Sequence, residues 1–214
     1  MTESFDRECR PPAGAGQSGV TMRKLIVSNL ISLDGYASGP GGDVMALPFD
    51  TTFSDYNLEL MKAADTLVSG ATTYRGFLSY WPPVADDPGQ PEVERAISRR
   101  HRELEHLVVS NNLTAAETGP WREKTRIVRR DEARDAIAQA KEGEGGTLLV
   151  FGSMTTWNDL LAAGLVDELH MMVGAGVLID GVPAFSVRPP GPMQLTGARR
   201  LGDSNIALLI YSLG

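Results

Sequence analysis

The sequence predicts an α/β protein, a three-layer α/β/α sandwich whose sheet is mostly parallel with an antiparallel edge at its carboxyl end. Three observations predict it. Short, continuously apolar runs such as Leu25 to Ile31 and Thr147 to Phe151 read as strands buried on both faces. Segments with apolar residues at helical spacing separate these runs, the alternation expected of helices covering a parallel sheet. The last two strand-like segments, Met193 to Leu201 and Ile206 to Tyr211, are joined by Gly202-Asp203-Ser204-Asn205, which reads as a hairpin.

Taken in order, residues 1–21 are rich in Gly, Pro and charge, with few large hydrophobes. They are expected to be a disordered tail, and one domain is expected over residues 22–214. The first strand, Leu25 to Ile31, runs into a long loop carrying Gly35, Gly39, Gly41 and Gly42. Thr51 to Ala64 reads as a helix and Thr66 to Ser69 as a short strand. Gly70-Ala71-Thr72-Thr73-Tyr74 reads as a strand-to-helix turn, and that helix is expected to stop at Tyr80-Trp81-Pro82-Pro83. Glu92 to Glu103 is a charged helix with Val93, Ile97 and Leu104 facing inward. Strands follow at His106 to Ser110 and Thr125 to Val128, then a helix at Asp131 to Lys141 with Ala133, Ala136, Ile137 and Ala140 as its inner stripe. Thr147 to Phe151 is a strand, Met154 to Ala162 a helix, and a sixth strand ends at Val173. Leu178 to Phe185 reads as a loop.

The net charge of −7 argues against a general binder of nucleic acid or anionic membrane, both of which need basic surface. One cysteine, Cys9, excludes an internal disulfide and a cysteine-based zinc site. His101, His106 and His170 lack paired ligand spacing, so no catalytic metal is expected. No apolar run reaches the ~20 residues that span a bilayer, and no secretory pattern opens the chain. A cytoplasmic protein is expected.

The chemistry is expected at strand ends. Ser69 to Thr73, Ser110-Asn111-Asn112 and Phe151-Gly152-Ser153-Met154-Thr155 bring small and hydroxyl residues there, two of them directly before helices. Free amides at a helix start favour an anion, and three such ends suit a long phosphorylated ligand. The Gly-x-Gly-x-x-Gly fingerprint after the first strand is absent. A Gly-x-Ser-x-Gly elbow is absent too. Asp34, at the end of the first strand, is a site candidate by position, with turn closure as the structural alternative. His170 within an apolar strand reads as a satisfied histidine, and Asp167-Glu168 as a turn-forming and pairing couple.

An ordered set of short motifs resembles a known family. Ser32-Leu33-Asp34-Gly35-Tyr36, Gly70-x-x-Thr73-Tyr74, Tyr80-Trp81-Pro82, Val109-Ser110, Phe151-Gly152-Ser153 and Gly164-Leu165-Val166-Asp167-Glu168-Leu169 follow one another. They resemble the dihydrofolate-reductase-like family that includes the reductase domain of bifunctional riboflavin-biosynthesis proteins, in particular its stand-alone bacterial members. The resemblance implies the dihydrofolate-reductase-like fold, NADPH as hydride donor, a pterin or riboflavin-pathway pyrimidine as acceptor, and a homodimer. By position it implies that Gly70, Ala71, Thr72 and Thr73, with Phe151, Gly152, Ser153, Met154 and Thr155, hold the pyrophosphate. Ser110 and Asn111 would lie near the adenosine ribose, and Tyr36 and Ala37 would flank the nicotinamide. Tyr80 and Trp81 would line the acceptor pocket. Leu47-Pro48-Phe49-Asp50 is similar to the Leu-Pro-x-Asp of dihydrofolate reductases, which makes Asp50 the candidate acceptor ligand and Asp55 the second; helix capping is the preferred structural reading of Asp50. Asp34 or Asp50 would orient the acceptor or relay a proton.

Two departures bear on function. Relatives usually carry a basic residue where this chain has Ala71, a residue that would grip the 2′-phosphate of NADPH. Arg129, Arg130, Arg99 and Arg100 are the candidate substitutes. The run Val173-Gly174-Ala175-Gly176-Val177-Leu178 also replaces a Pro-Val-Leu-Gly-x-Gly-like stretch. These departures keep two alternatives in view: a non-catalytic nucleotide-binding protein on the same fold, and a reductase using a flavin or deazaflavin.

Overall fold

The computed structural model describes residues 22–214, so the expected tail over residues 1–21 lies outside the described residues. The first strand, β1 (Leu25–Ile31), is buried along its whole length. Its side chains alternate between two layers, which is why no polar face is needed. The elements then run β2 (Tyr36–Ser38), α1 (Thr51–Ala63), β3 (Ala64–Gly70), α2 (Ala71–Val84), α3 (Glu92–Glu103), β4 (Glu105–Val109) and β5 (Thr125–Val128). After them come α4 (Ala133–Glu142), β6 (Thr147–Phe151), α5 (Met154–Ala162), β7 (Glu168–Val173), β8 (Val182–Pro183), β9 (Met193–Arg200) and β10 (Ala207–Leu213).

Eight strands form one sheet in the order β5-β4-β3-β6-β1-β7-β10-β9. From β5 to β7 every pairing is parallel, and β10 pairs antiparallel with both β7 and β9. The three-layer sandwich with an antiparallel carboxyl edge is therefore the observed fold. On one face Val27, Val150 and Leu169 pack with Ile137 of α4 and Trp157 and Leu160 of α5. On the other, Ile26, Leu67 and Leu149 pack with Met61 of α1 and Ile97 of α3. Each fully buried side chain of this size contributes roughly 1.5–3 kcal/mol.

The structure differs from the sequence reading in three local respects. The glycine-rich loop after β1 contains β2, and the expected loop at Leu178 to Phe185 contains β8; the two pair antiparallel, Tyr36 with Pro183 and Ser38 with Val182. The helix expected to stop at the Tyr80-to-Pro83 turn runs on to Val84 through both prolines. Neighbouring α3 satisfies carbonyls at that end: Ser98 Oγ donates to the Trp81 carbonyl at 2.5 Å and Arg102 Nη2 to the Pro82 carbonyl at 2.8 Å. The helix expected from Asp131 begins at Ala133, because the Glu132 amide closes a turn onto the Arg129 carbonyl.

Trp121 is buried in a 3₁₀ stretch, Ala115–Lys124. Its ring lies nearly parallel to His101 at 5.2 Å and to His106 at 4.6 Å, while Trp81 stacks on His101 at 5.2 Å.

Candidate functional site

Two helices start side by side at the carboxyl edge of the sheet. β3 passes directly into α2 at Gly70, and adjacent β6 passes into α5 through Gly152-Ser153. Gly152 (φ 55°) and Ser153 (φ 54°) are both left-handed, which folds the chain sharply over the strand end. Three bonds lock the turn. The Gly70 amide donates to Ser153 Oγ at 3.1 Å, the Ser153 amide to Thr73 Oγ1 at 3.1 Å, and the Gly152 amide to Asn29 Oδ1 at 2.7 Å. Neither helix start carries a side-chain cap. The positive ends of two helix dipoles thus converge beside residues Ala71 to Thr73 and Met154 to Thr155. At Gly70 an added Cβ would stand 3.0 Å from Thr156 Oγ1, so the glycine keeps the crevice between the helices open. Such an arrangement can hold an anionic group, and the residues present fit a pyrophosphate.

On the β4 side the edge carries a hydroxyl, an amide and two cations. Ser110 Oγ accepts the amides of Asn112 (3.1 Å) and Leu113 (2.9 Å). Asn111 Oδ1 accepts the Arg130 amide at 2.9 Å, which holds Arg129 and Arg130 beside it at the end of β5. Arg99 and Arg100 lie elsewhere, on α3: Arg99 pairs with Glu92, and Arg100 binds the Met61 and Ala64 carbonyls. Of the four candidate substitutes for a basic residue at Ala71, Arg129 and Arg130 stand at this edge, with Arg129 Nε 3.3 Å from Asp131 Oδ1.

On the β1 side the loops are tied down. Asp34 receives Ser32 Oγ at 2.6 Å, the Leu178 amide at 3.1 Å and the Ile179 amide at 2.7 Å. The Ser32 hydroxyl, helped by these amides, lowers the Asp34 carboxyl to about 2, so it is ionised at neutral pH. Tyr36 donates its hydroxyl to the Ile179 carbonyl at 3.1 Å, and Ala37 is buried in the core. Ile179 itself has φ 66°, a strained value for a β-branched residue. Asp50 Oδ1 accepts the Phe53 amide at 3.0 Å and caps α1, and Asp55 is exposed on the same helix. Pro48 packs onto Gly174, where an added Cβ would meet it at 2.5 Å, so α1 starts against the loop after β7. Tyr80 is half exposed beside the Glu94 carboxylate, which accepts Ser54 Oγ of α1 at 2.7 Å. Trp81 turns away into the aromatic stack.

The sequence reading did not single out Asn29. It is buried, and with Oδ1 committed to Gly152 its Nδ2 has no partner among the described residues. Its signal was a polar pair, Ser28-Asn29, inside an apolar strand; Ser28 Oγ donates to Asn57 Oδ1 at 3.1 Å across to α1. His170 is satisfied as expected: Nδ1 meets the Tyr56 hydroxyl at 2.7 Å and Nε2 meets Glu168 at 2.9 Å, with Lys24 beyond at 2.6 Å.

Comparison with known proteins identifies a family and a fold. The family model described as the RibD C-terminal domain matches residues 23–205. Among solved structures, a Shewanella sp. PV-4 protein ascribed to riboflavin biosynthesis is 23% identical with a TM-score of 0.61, covering 89% of this chain and 99% of its own. A pyrimidine reductase-like protein from Corynebacterium diphtheriae is 14% identical with a TM-score of 0.60, covering 90% of this chain and 92% of its own. Dihydrofolate reductase from Enterococcus faecalis, complexed with NADP(H), is 15% identical with a TM-score of 0.54, covering 88% of this chain and 95% of its own. At these identities the likeness establishes the fold. No curated protein matches the sequence.

Proposed function

The chain belongs to the RibD C-terminal domain family, and from that premise we propose that it is an oxidoreductase that passes a hydride from NADPH to a small heterocycle of the pterin or pyrimidine type. The observation that carries this reading is the pair of uncapped helix starts interlocked through Ser153, Gly70 and Thr73. Ala71, Thr72, Thr73, Met154 and Thr155 would hold the pyrophosphate, with Phe151 beneath. Ser110 and Asn111 would meet the adenosine ribose, and Arg129 and Arg130 would take over the 2′-phosphate contact that Ala71 does not make. When bound, the reduced nicotinamide supplies the hydride.

The chain's own residues position the partners. The β2–β8 ribbon, with Tyr36 and Ala37, closes the edge beside β1, and Asp34 holds that ribbon in place. Asp34, ionised and fully used as an acceptor, acts by positioning in this reading. Asp50 and Asp55 at the start of α1, with Tyr80 opposite, would face the acceptor. Most of the rate enhancement would come from holding the acceptor against the donor.

We further propose a homodimer through β9, an edge strand that exposes Met193 and Leu195, and a cytoplasmic location. No helix among the described residues is long and apolar enough to cross a membrane. Titration with NADPH and NADH, followed by quenching of Trp81, Trp121 and Trp157, tests the cofactor. Tighter binding of NADPH is expected. Ala71 favours a second reading, a flavin or deazaflavin cofactor, and binding of neither nicotinamide would select it. Saturable binding without turnover across a pterin and pyrimidine panel would select a non-catalytic nucleotide-binding protein.

A further inference from the structure

We infer that the acceptor taken by this site is a flat heterocycle that carries no phosphate. The inference rests on the cofactor orientation proposed above, with the acceptor at the β1–β7 end. The charge distribution along the sheet edge carries it. Residues 25–61 contain no Lys or Arg, and neither do residues 76–94 or 142–187. Those stretches supply the loop after β1, the first turns of α1, the second half of α2 and the loop after β7. They bring Asp34, Asp43, Asp50, Asp55, Glu94 and Asp180 instead.

The cations that flank this region include Arg199, Arg200, Lys62 and Arg188. Arg199 lies over the Tyr56 ring, 5.5 Å from its centroid. Arg200 is held by the Ser204 and Asp203 carbonyls. Lys62 stands in the last turn of α1, away from the helix start. Arg188 follows Ser186, which is tied to Asn158 of α5, and precedes Pro190, which packs near Gly164 beyond the end of that helix.

The helix starts repeat the contrast. α2 and α5 offer uncapped amides, whereas the start of α1 is filled by the Asp50 carboxylate. A phosphate needs helix amides or a cationic fork, and at this end it would meet carboxylates. What the end does offer is apolar surface. Leu33, Val44, Met45, Phe49, Val177 and Ile179 are all exposed on the two facing loops, and such a cluster marks a contact surface for an apolar partner. Anion recognition is therefore concentrated at the cofactor end, and the acceptor end suits a ring without an anionic group.

The test uses the full chain saturated with NADPH, and matched ligands that differ only in a phosphate: riboflavin against flavin mononucleotide, and uridine against uridine 5′-monophosphate. Binding is read by tryptophan quenching and confirmed by calorimetry. The unphosphorylated member of at least one pair is expected to bind tenfold or more tightly than its partner. Equal or tighter binding of the phosphorylated members overturns the inference, and so does binding of no member by a protein that has taken up NADPH. Failure to bind NADPH in the first step overturns the cofactor reading instead, so the two failures are distinguishable.

Discussion

The Asp34 carboxylate receives the Ile179 amide at 2.7 Å, and this bond fastens the loop after β1 to the loop after β7 across 145 residues of sequence. Its carboxyl lies at about 2, against an ordinary 3.8. The clamp's contribution is thus full above pH 3.8 and disappears only as the pH falls through about 2. Replacing Asp34 by Ala should release residues 177–185 at neutral pH. Hydrogen exchange of those amides should rise at least tenfold in Asp34→Ala, with the core strands unchanged. Unaltered exchange in the loop would mean that the β2–β8 pairing alone holds it.

Cofactor selectivity should follow Arg129 and Arg130. Replacing both by Ala should weaken NADPH about tenfold or more while leaving NADH within about twofold, because only NADPH carries the 2′-phosphate. Restoring a basic residue with Ala71→Arg should move selectivity the other way. Parallel titrations with the two nucleotides measure both effects.

The turn at Gly152 should be weakened by a side chain. Gly152→Ala places a Cβ at φ 55°, at a cost of roughly 1–2 kcal/mol, and 3.4 Å from Thr73. A lower melting temperature and a large loss of nucleotide affinity are expected together. Full affinity in this variant would show that the phosphate does not seat at the interlocked helix starts.

The aromatic stack makes the protein sensitive to acid. Burial, with a smaller push from neighbouring His106, holds His101 well below its ordinary 6.5, and burial also lowers His106. Both rings are neutral in the fold, while the unfolded chain takes up protons near pH 6.5. Stability should therefore decline as the pH drops below 6.5. Chemical denaturation at pH 7.5 and pH 5.5 checks this, and His101→Phe should flatten the dependence. The opposing limit comes from Tyr56, which burial pushes up to about 12 from 10 while Arg199 pulls it down and Glu59 and Glu168 push it up. The phenol stays protonated in the fold where the unfolded chain ionises, so stability should fall between pH 10 and pH 12. Tyr56→Phe should lessen that fall, and should cost roughly 1–3 kcal/mol at neutral pH by leaving His170 Nδ1 unpaired.

The parts of the fold legible in the sequence are those written locally. β1 and β6 show as unbroken apolar runs because both faces of each strand are covered. The crossover helices show through their spacing, and the two helix starts at Gly70 and Ser153 show through small residues after strands. The β2–β8 pairing was illegible because both strands are very short and their partners lie more than 140 residues apart. The passage of α2 through Pro82 and Pro83 was illegible because the compensating donors, Ser98 and Arg102, belong to another helix. Asp34 was legible as a special position, but its service to two distant amides was not. Asn29 was hidden by its apolar neighbours, although a polar residue in such a run is itself a signal.

Among the strands of the eight-stranded sheet β1 comes first in the chain, and it is not enclosed until β6 and β7 have followed. Its partners are β6, where Leu25 aligns with Leu148, and β7, where Val27 aligns with Leu169. Long separations of this kind slow folding, and they leave the seven residues Leu25–Ile31 open to association while synthesis continues. Within the eight-stranded sheet, the strand near its centre thus waits longest for its neighbours.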